Sequence, residues 1–230
     1  MNTKSMYLKR FFTRRFAILF TITLGMMFIL NSLNAGKQSK HPTHEQKYEK
    51  GSAEEWLNSL KGKNFPVVYD MHEHKDFWAG IWANIYLATN QDVNNLGVVI
   101  VMRHGGFPFA LNDAMFAKYK LGEFFNIIDK NTGRPAVHNM YWEPTGKDFP
   151  LPGLDGIKGL QKKGVSFCVC NMALKVYSGF IAKARGISED EVYNDFVKNL
   201  LPGIQLVPAG VWALGRLQQA PLNFSYINAG

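Results

Sequence analysis

The sequence predicts an α/β fold of three layers, with a mostly parallel sheet covered by helices on both faces. The run Gly97-Val-Val-Ile-Val-Met102 is continuously apolar and bounded by glycine, as in a strand buried on both sides of a parallel sheet. From residue 65 onward, short apolar runs alternate with stretches of helical period, the pattern of βα units. With 230 residues, 47% of them hydrophobic, the chain can bury one sizeable core and carry appendages.

The elements follow in order. Ser52 with Glu55 three positions on is a capping-box pattern that predicts a short helix over 53–61. Phe65-Pro-Val-Val-Tyr69 is the first core strand, and Asp76 opens a helix whose Phe77, Ile81, Ile85 and Leu87 form an apolar face up to Thr89. The glycine-bounded strand ends in Arg103-His-Gly-Gly106. A helix over 112–120 follows, and then an irregular stretch to Pro152, longer than ordinary connections and expected to be a flap or an oligomer contact. Residues 154–163 give another helix before the strand Val165-Ser-Phe-Cys-Val-Cys170. The next helix runs to Arg185 and is closed by Gly186, and Ser188 with Glu191 repeats the capping box for a helix ending near Leu200. Ile204–Val207 is a strand, Ala209–Gln219 a helix and Phe224–Ile227 a last strand.

The formal charge of +8 suggests nucleic acid or a membrane surface, but its distribution argues otherwise. Lys4, Lys9, Arg10, Arg14 and Arg15 lie within the first 35 residues, which hold no acid, so the rest of the chain carries 21 bases against 18 acids. No cluster of bases interleaved with aromatics appears after residue 64, which argues against a nucleic-acid partner. The five bases instead precede an uncharged apolar stretch, Phe16–Leu30, followed by polar Asn31–Ala35. This is the layout of an export segment. About 20 apolar residues are needed to span a bilayer, so a cleaved signal is expected, with an uncleaved anchor as the alternative. Either places the domain outside the cytoplasm, in the periplasm, soluble after cleavage or tethered to the inner membrane, with membrane contact only through this segment. Residues 1–35 are thus read as signal or anchor, 36–64 as a polar tether with a short helix, and 65–230 as the α/β domain.

Two cysteines in an exported chain would ordinarily suggest a disulfide. Cys168 and Cys170 are one residue apart, and a direct bridge on a strand is strained. Cys170 stands where an apolar strand gives way to the helix beginning Asn171-Met-Ala-Leu, so it faces unpaired N–H groups and the positive end of a helix dipole, which favour a thiolate. Ligand crevices of open α/β sheets lie beyond the carboxyl ends of the strands. There Arg103-His104-Gly105, Cys170-Asn171 and Pro208-Ala-Gly210 are expected to converge. His104 is the candidate ion-pair partner or acid–base for Cys170, and Asn112 a candidate for orienting a ligand. His72-Glu-His74 offers two imidazoles on one face of an extended segment, but no third ligand is identifiable, and it reads as a solvated loop rather than a metal site. No phosphate-binding, dinucleotide or serine-hydrolase motif is present, and no cofactor is expected.

Cys170-Asn-Met-Ala-Leu after an apolar strand, together with Leu201-Pro-Gly-Ile-Gln-Leu-Val-Pro-Ala-Gly-Val-Trp-Ala-Leu214, resembles the DsrE/DsrF-like group, particularly exported members with an Arg-His-Gly segment. The resemblance covers about residues 65–227. It implies a flavodoxin-like or doubly wound sheet, a homo-oligomer, and a persulfide-carrying cysteine at the position of Cys170 that exchanges sulfur with a donor or acceptor protein. The relay proteins of that group are cytoplasmic, whereas this chain carries an export segment, and the stretch 129–152 has no counterpart in the small carrier domain. The reading that follows is an exported sulfur- or thiol-handling protein with Cys170 and His104 as chemical groups and Arg103, Asn112, Asn171 and Gly210 as binding residues. The alternatives are a non-catalytic module holding a small ligand or metal, and a structural subunit of a membrane-associated assembly.

Overall fold

A computed structural model of the protein describes residues 50–74 and 76–230; the export segment expected from the sequence lies outside them. Among the described residues, five strands form an all-parallel sheet and two short ones a hairpin. The strands are β1 (Asn64–Met71), β2 (Leu96–Met102), β3 (Ile128–Asp129), β4 (Arg134–Pro135), β5 (Ser166–Cys170), β6 (Ile204–Val207) and β7 (Ser225–Asn228). The helices are α1 (Lys50–Ser59), α2 (Trp78–Thr89), a 3-10 helix His104–Ala110, α3 (Asp113–Tyr119), α4 (Leu121–Phe124), α5 (Ile157–Lys162), α6 (Asn171–Arg185), α7 (Glu189–Lys198) and α8 (Gly210–Gln218). None is long and apolar enough to cross a membrane.

The main sheet has the order β6-β5-β2-β1-β7. From β1 the chain advances through β2 and β5 to β6, then returns to place β7 beside β1. Strand alternation divides the core accordingly. Val67, Tyr69, Met71, Val98, Ile100, Met102, Phe167 and Val169 meet the helices made on the outward run, whereas Val68, Val99, Val101, Cys168 and Val207 meet α1 and α8. Right-handed crossovers require this: connections in one direction fall on one face, and the connection that reverses falls on the other. The sheet therefore has the three layers expected, and antiparallel pairing lies outside it, in β3–β4 and a single bridge between Leu111 and Leu200.

Four expectations are corrected. The tether does not extend to residue 64: α1 begins before Ser52, and its Ala53 and Leu57 are buried against the sheet with Leu60, so the domain starts before residue 65. Neither capping box forms as such, since Ser52 lies inside α1 and Ser188, although it precedes α7, makes no capping bond. The apolar face assigned to α2 holds at Phe77 and Ile81, which are buried, and at Leu87, which packs against the core, but not at Ile85. Small residues Ala79, Gly80 and Ala83 let the helix pack closely, while Ile85 is exposed beside a stacked Trp78–Trp82 pair. The stretch to Pro152 is not a loose flap. Met140 and Tyr141 are buried, Tyr141 stacks on Phe77 at 5.1 Å, and Asn139 donates from Nδ2 to the Phe109 and Leu111 carbonyls at 2.9 and 2.8 Å. A long connection is stable here because its polar groups find fixed partners.

Two glycines make a contrasting test. Gly106 passes so close to the end of β1 that a Cβ there would overlap the Met71 carbonyl oxygen. Gly186 closes α6 in the left-handed conformation at φ +66°, with open space around it. Gly186→Ala is expected to cost about 1 kcal/mol from backbone strain. Gly106→Ala, which forces backbone apart, is expected to cost about 2–3 kcal/mol. Urea unfolding of both variants measures the order, and equal losses would show that the approach to Met71 is soft.

Candidate functional site

Parallel register brings the site together. Met102 pairs with Val169 and Asp70 with Val101, so Arg103, one residue past β2, lies beside Cys170 at the end of β5 and within reach of Asp70 on β1. Cys170 is the N-cap of α6. Its Sγ accepts the Ala173 N–H at 3.3 Å, and the side chain is 7% exposed. The thiol thus uses an amide that the helix leaves without an acceptor and sits at the positive end of a fifteen-residue dipole. Leaving the strand at this point also separates the two cysteines. Cys168 packs with the α1 and α8 layer and Cys170 with the opposite one. Burial pushes the Cys168 thiol well above its ordinary range, and the neighbouring Cys170 adds to that.

The cation next to Cys170 is Arg103. Its Nε and one terminal nitrogen donate to the two oxygens of Asp70, each at 2.7 Å, and the Asp70 side chain is only 1% exposed against 27% for Arg103. The Tyr226 hydroxyl donates to Asp70 Oδ2 at 2.8 Å from β7. Arg103 is held still further above its usual range, first by the Asp70 hydrogen bond, against burial, with attraction to Asp70, Tyr226 and Cys170 acting in the same direction. Gly210 lets this side chain lie across the start of α8, since a Cβ there would stand 2.6 Å from Arg103 Cβ. The expected convergence of Arg103, Cys170 and Gly210 is therefore present.

The other expected residues are placed differently. His104 makes no hydrogen bond to Cys170. Its ring meets Tyr177 edge-on with centroids 5.8 Å apart, and the Tyr177 hydroxyl is 3.4 Å from Nδ1. Asn112 caps α3, accepting the Met115 N–H at 3.3 Å and donating to Asn199 Oδ1 at 3.1 Å, so its side chain serves the fold rather than the crevice. Asn171 is buried and accepts the Tyr193 hydroxyl at 2.7 Å, which ties α6 to α7. His72 and His74, expected in a solvated loop, are half-buried and line a recess with His104 and Tyr177. Among the described residues no group of three or more His, Cys, Asp or Glu is arranged to hold a metal ion.

Sequence reasoning missed Asp70, Tyr226 and Tyr177. Asp70 carried a signal, as the one charged residue in the apolar strand Val67-Val-Tyr-Asp-Met71. A carboxylate in such a run needs a partner.

No protein-family model matches the chain, and no curated protein matches it. Among solved structures, a protein of unknown function from Methanobacterium thermoautotrophicum, MTH1491, is similar with a TM-score of 0.38 and 17% identity, over 72% of this chain and 99% of that one.

Two measurements check the site. Iodoacetamide is expected to label Cys170 in the folded protein and Cys168 only on unfolding, read by peptide mass spectrometry; equal labelling of both would contradict the separation of their environments. Asp70→Asn removes the acceptor charge for Arg103 and is expected to cost about 2 kcal/mol, below the value for a fully buried pair because Arg103 retains solvent contact. Tyr226→Phe, which removes one hydrogen bond, is expected to cost about 1 kcal/mol.

Proposed function

We propose that this protein is an exported sulfur carrier in which Cys170 accepts a sulfane sulfur from a donor persulfide and passes it to an acceptor thiol. The observation that carries the reading is the Cys170 Sγ accepting the Ala173 N–H at the start of α6 with Arg103 beside it. The Ala173 amide and the N-terminus of α6 are directed at the sulfur that attacks, and attack proceeds from the thiolate form. The thiolate attacks the outer sulfur of the donor persulfide; a bond forms from Sγ to that sulfur as the donor S–S bond breaks, and the donor leaves as a thiolate. Delivery is the same exchange, with the acceptor thiolate attacking the outer sulfur and Cys170 leaving. No net oxidation occurs in either step.

Met172, Val176 and Phe180 form an exposed apolar strip on the helix that Cys170 caps, and this strip is the proposed contact for the donor or acceptor protein. The apolar Phe16–Leu30 segment behind five basic residues supports the exported location. His104 is not assigned a proton-transfer role in this scheme, since its ring is engaged with Tyr177.

Intact-mass measurement after incubation with a low-molecular-weight persulfide tests the proposal. Wild type is expected to gain one reducible sulfur atom and Cys170→Ser none; equal gain in both would sink the assignment. Arg103→Gln is expected to slow loading, with partial recovery in Arg103→Lys.

A further inference from the structure

Helices that cover a parallel sheet turn one side to solvent, and charged side chains normally keep that side in water. Helix α2 is the exception. Its sequence, Trp-Ala-Gly-Ile-Trp-Ala-Asn-Ile-Tyr-Leu-Ala-Thr, carries no Asp, Glu, Lys or Arg, and among the described residues it is the longest helix of which this is true. Its inner side is closed by buried Ala79, Gly80, Ile81 and Ala83. Its outer side presents Trp78, Trp82, Ile85 and Thr89, whose helical spacing puts them in one row. The two indoles stack at 5.4 Å, with 39% and 40% of each residue exposed. At the far end of the helix Phe65 is 66% exposed, and its carbonyl oxygen accepts the Tyr86 hydroxyl at 2.9 Å.

Tether length and charge decide what covers this row. Residues 31–49 separate the apolar segment Phe16–Leu30 from α1, and these 19 residues reach at most about 65 Å when fully extended. A folded domain of this size has a radius of gyration of about 16 Å. A retained segment therefore keeps the domain beside a bilayer and at high local concentration, yet leaves it free to turn any face to the surface. The face that gives up least hydrated charge on contact is that of α2. By contrast α6, whose exposed strip is also apolar, carries Lys175, Lys183 and Arg185. Tryptophan and tyrosine favour the headgroup level, where the ring is buried and the N–H or O–H stays wet.

We propose that α2 lies on a phospholipid bilayer, with Trp78, Trp82 and Ile85 sunk to the boundary between headgroups and acyl chains. This membrane contact is additional to the N-terminal segment, and the helix rests on the surface without spanning it. It requires that Phe16–Leu30 be retained, and it is independent of sulfur loading at Cys170. Because α2 holds no base, the contact depends neither on anionic lipid nor on ionic strength, unlike one made by a polybasic segment.

Tryptophan quenching on the full chain, reconstituted in phosphatidylcholine vesicles, tests the proposal. All five tryptophans lie from Trp56 onward, so the N-terminal segment contributes no signal. Lipid brominated near the top of the acyl chain is expected to quench part of the emission, equally at low and high salt. Ile85→Lys keeps all five tryptophans and places a charge within the row; it is expected to remove most of that quenching while the protein stays on the vesicles. Thr89→Lys, at the helix C-terminus where a cation is favoured, makes the same test should Ile85→Lys fail to fold. The proposal is overturned by an unquenched wild type, by quenching that high salt abolishes, or by wild-type quenching in the folded lysine variants. Quenching that disappears as protein is raised against lipid would assign the row to a second copy of this chain, which equally overturns it.

Discussion

The carboxylate of Asp70 is the fixed point of the upper edge of the sheet. It lies at 1% exposure near the end of an apolar strand, where an unpaired charge would be prohibitive, and the Arg103 guanidinium and the Tyr226 hydroxyl satisfy it from both neighbouring strands. That demand ties β1 to β2 and to β7 through side chains as well as through the ladder. It also determines where Arg103 can lie: stretched across the strand ends, against Gly210, with its charge beside Cys170. The thiol's electrostatic setting is therefore a by-product of solving a desolvation problem one strand away.

Close backbone approach does the corresponding work on the other side of Arg103. Gly106 presses against the Met71 carbonyl, and Met71 O also accepts the Arg103 N–H at 2.9 Å, so the two loops leaving β1 and β2 are locked face to face. His104, caught between them, takes up a left-handed conformation and turns toward Tyr177. The same short segment, Arg103-His-Gly-Gly106, thus sends adjacent side chains to different partners: the guanidinium forks onto Asp70 and the imidazole meets Tyr177.

Much of this was legible in the sequence for physical reasons. The strands Gly97–Met102 and Ile204–Val207 and the helix closed by Gly186 are specified locally, by unbroken apolar runs and by a residue that tolerates positive φ. The placement of Cys170 followed from the same strand-to-helix transition. The destinations of Arg103 and His104 were not legible, because the two are adjacent in sequence and the pairings that part them, with Asp70 and with Tyr177, are long-range. The fate of residues 129–152 was hidden as well. Their anchors, Asn139 to the Phe109 and Leu111 carbonyls and Tyr141 on Phe77, are long-range contacts that leave no periodic trace. The capping-box pattern at Ser52 shows the converse, a local motif overruled by an earlier helix start, whereas at Ser188 the helix begins where the pattern places it but without the capping bond.

Cys168 lies two residues from Cys170 yet packs into the opposite layer of the core, and the chain has no other cysteine. Cys170 accordingly has no resolving thiol of its own: a sulfenic acid formed there cannot be rescued as an intramolecular disulfide. Recovery from oxidation depends on a second molecule, so the lifetime of the reactive thiol is set by the reducing systems of its surroundings rather than by the fold.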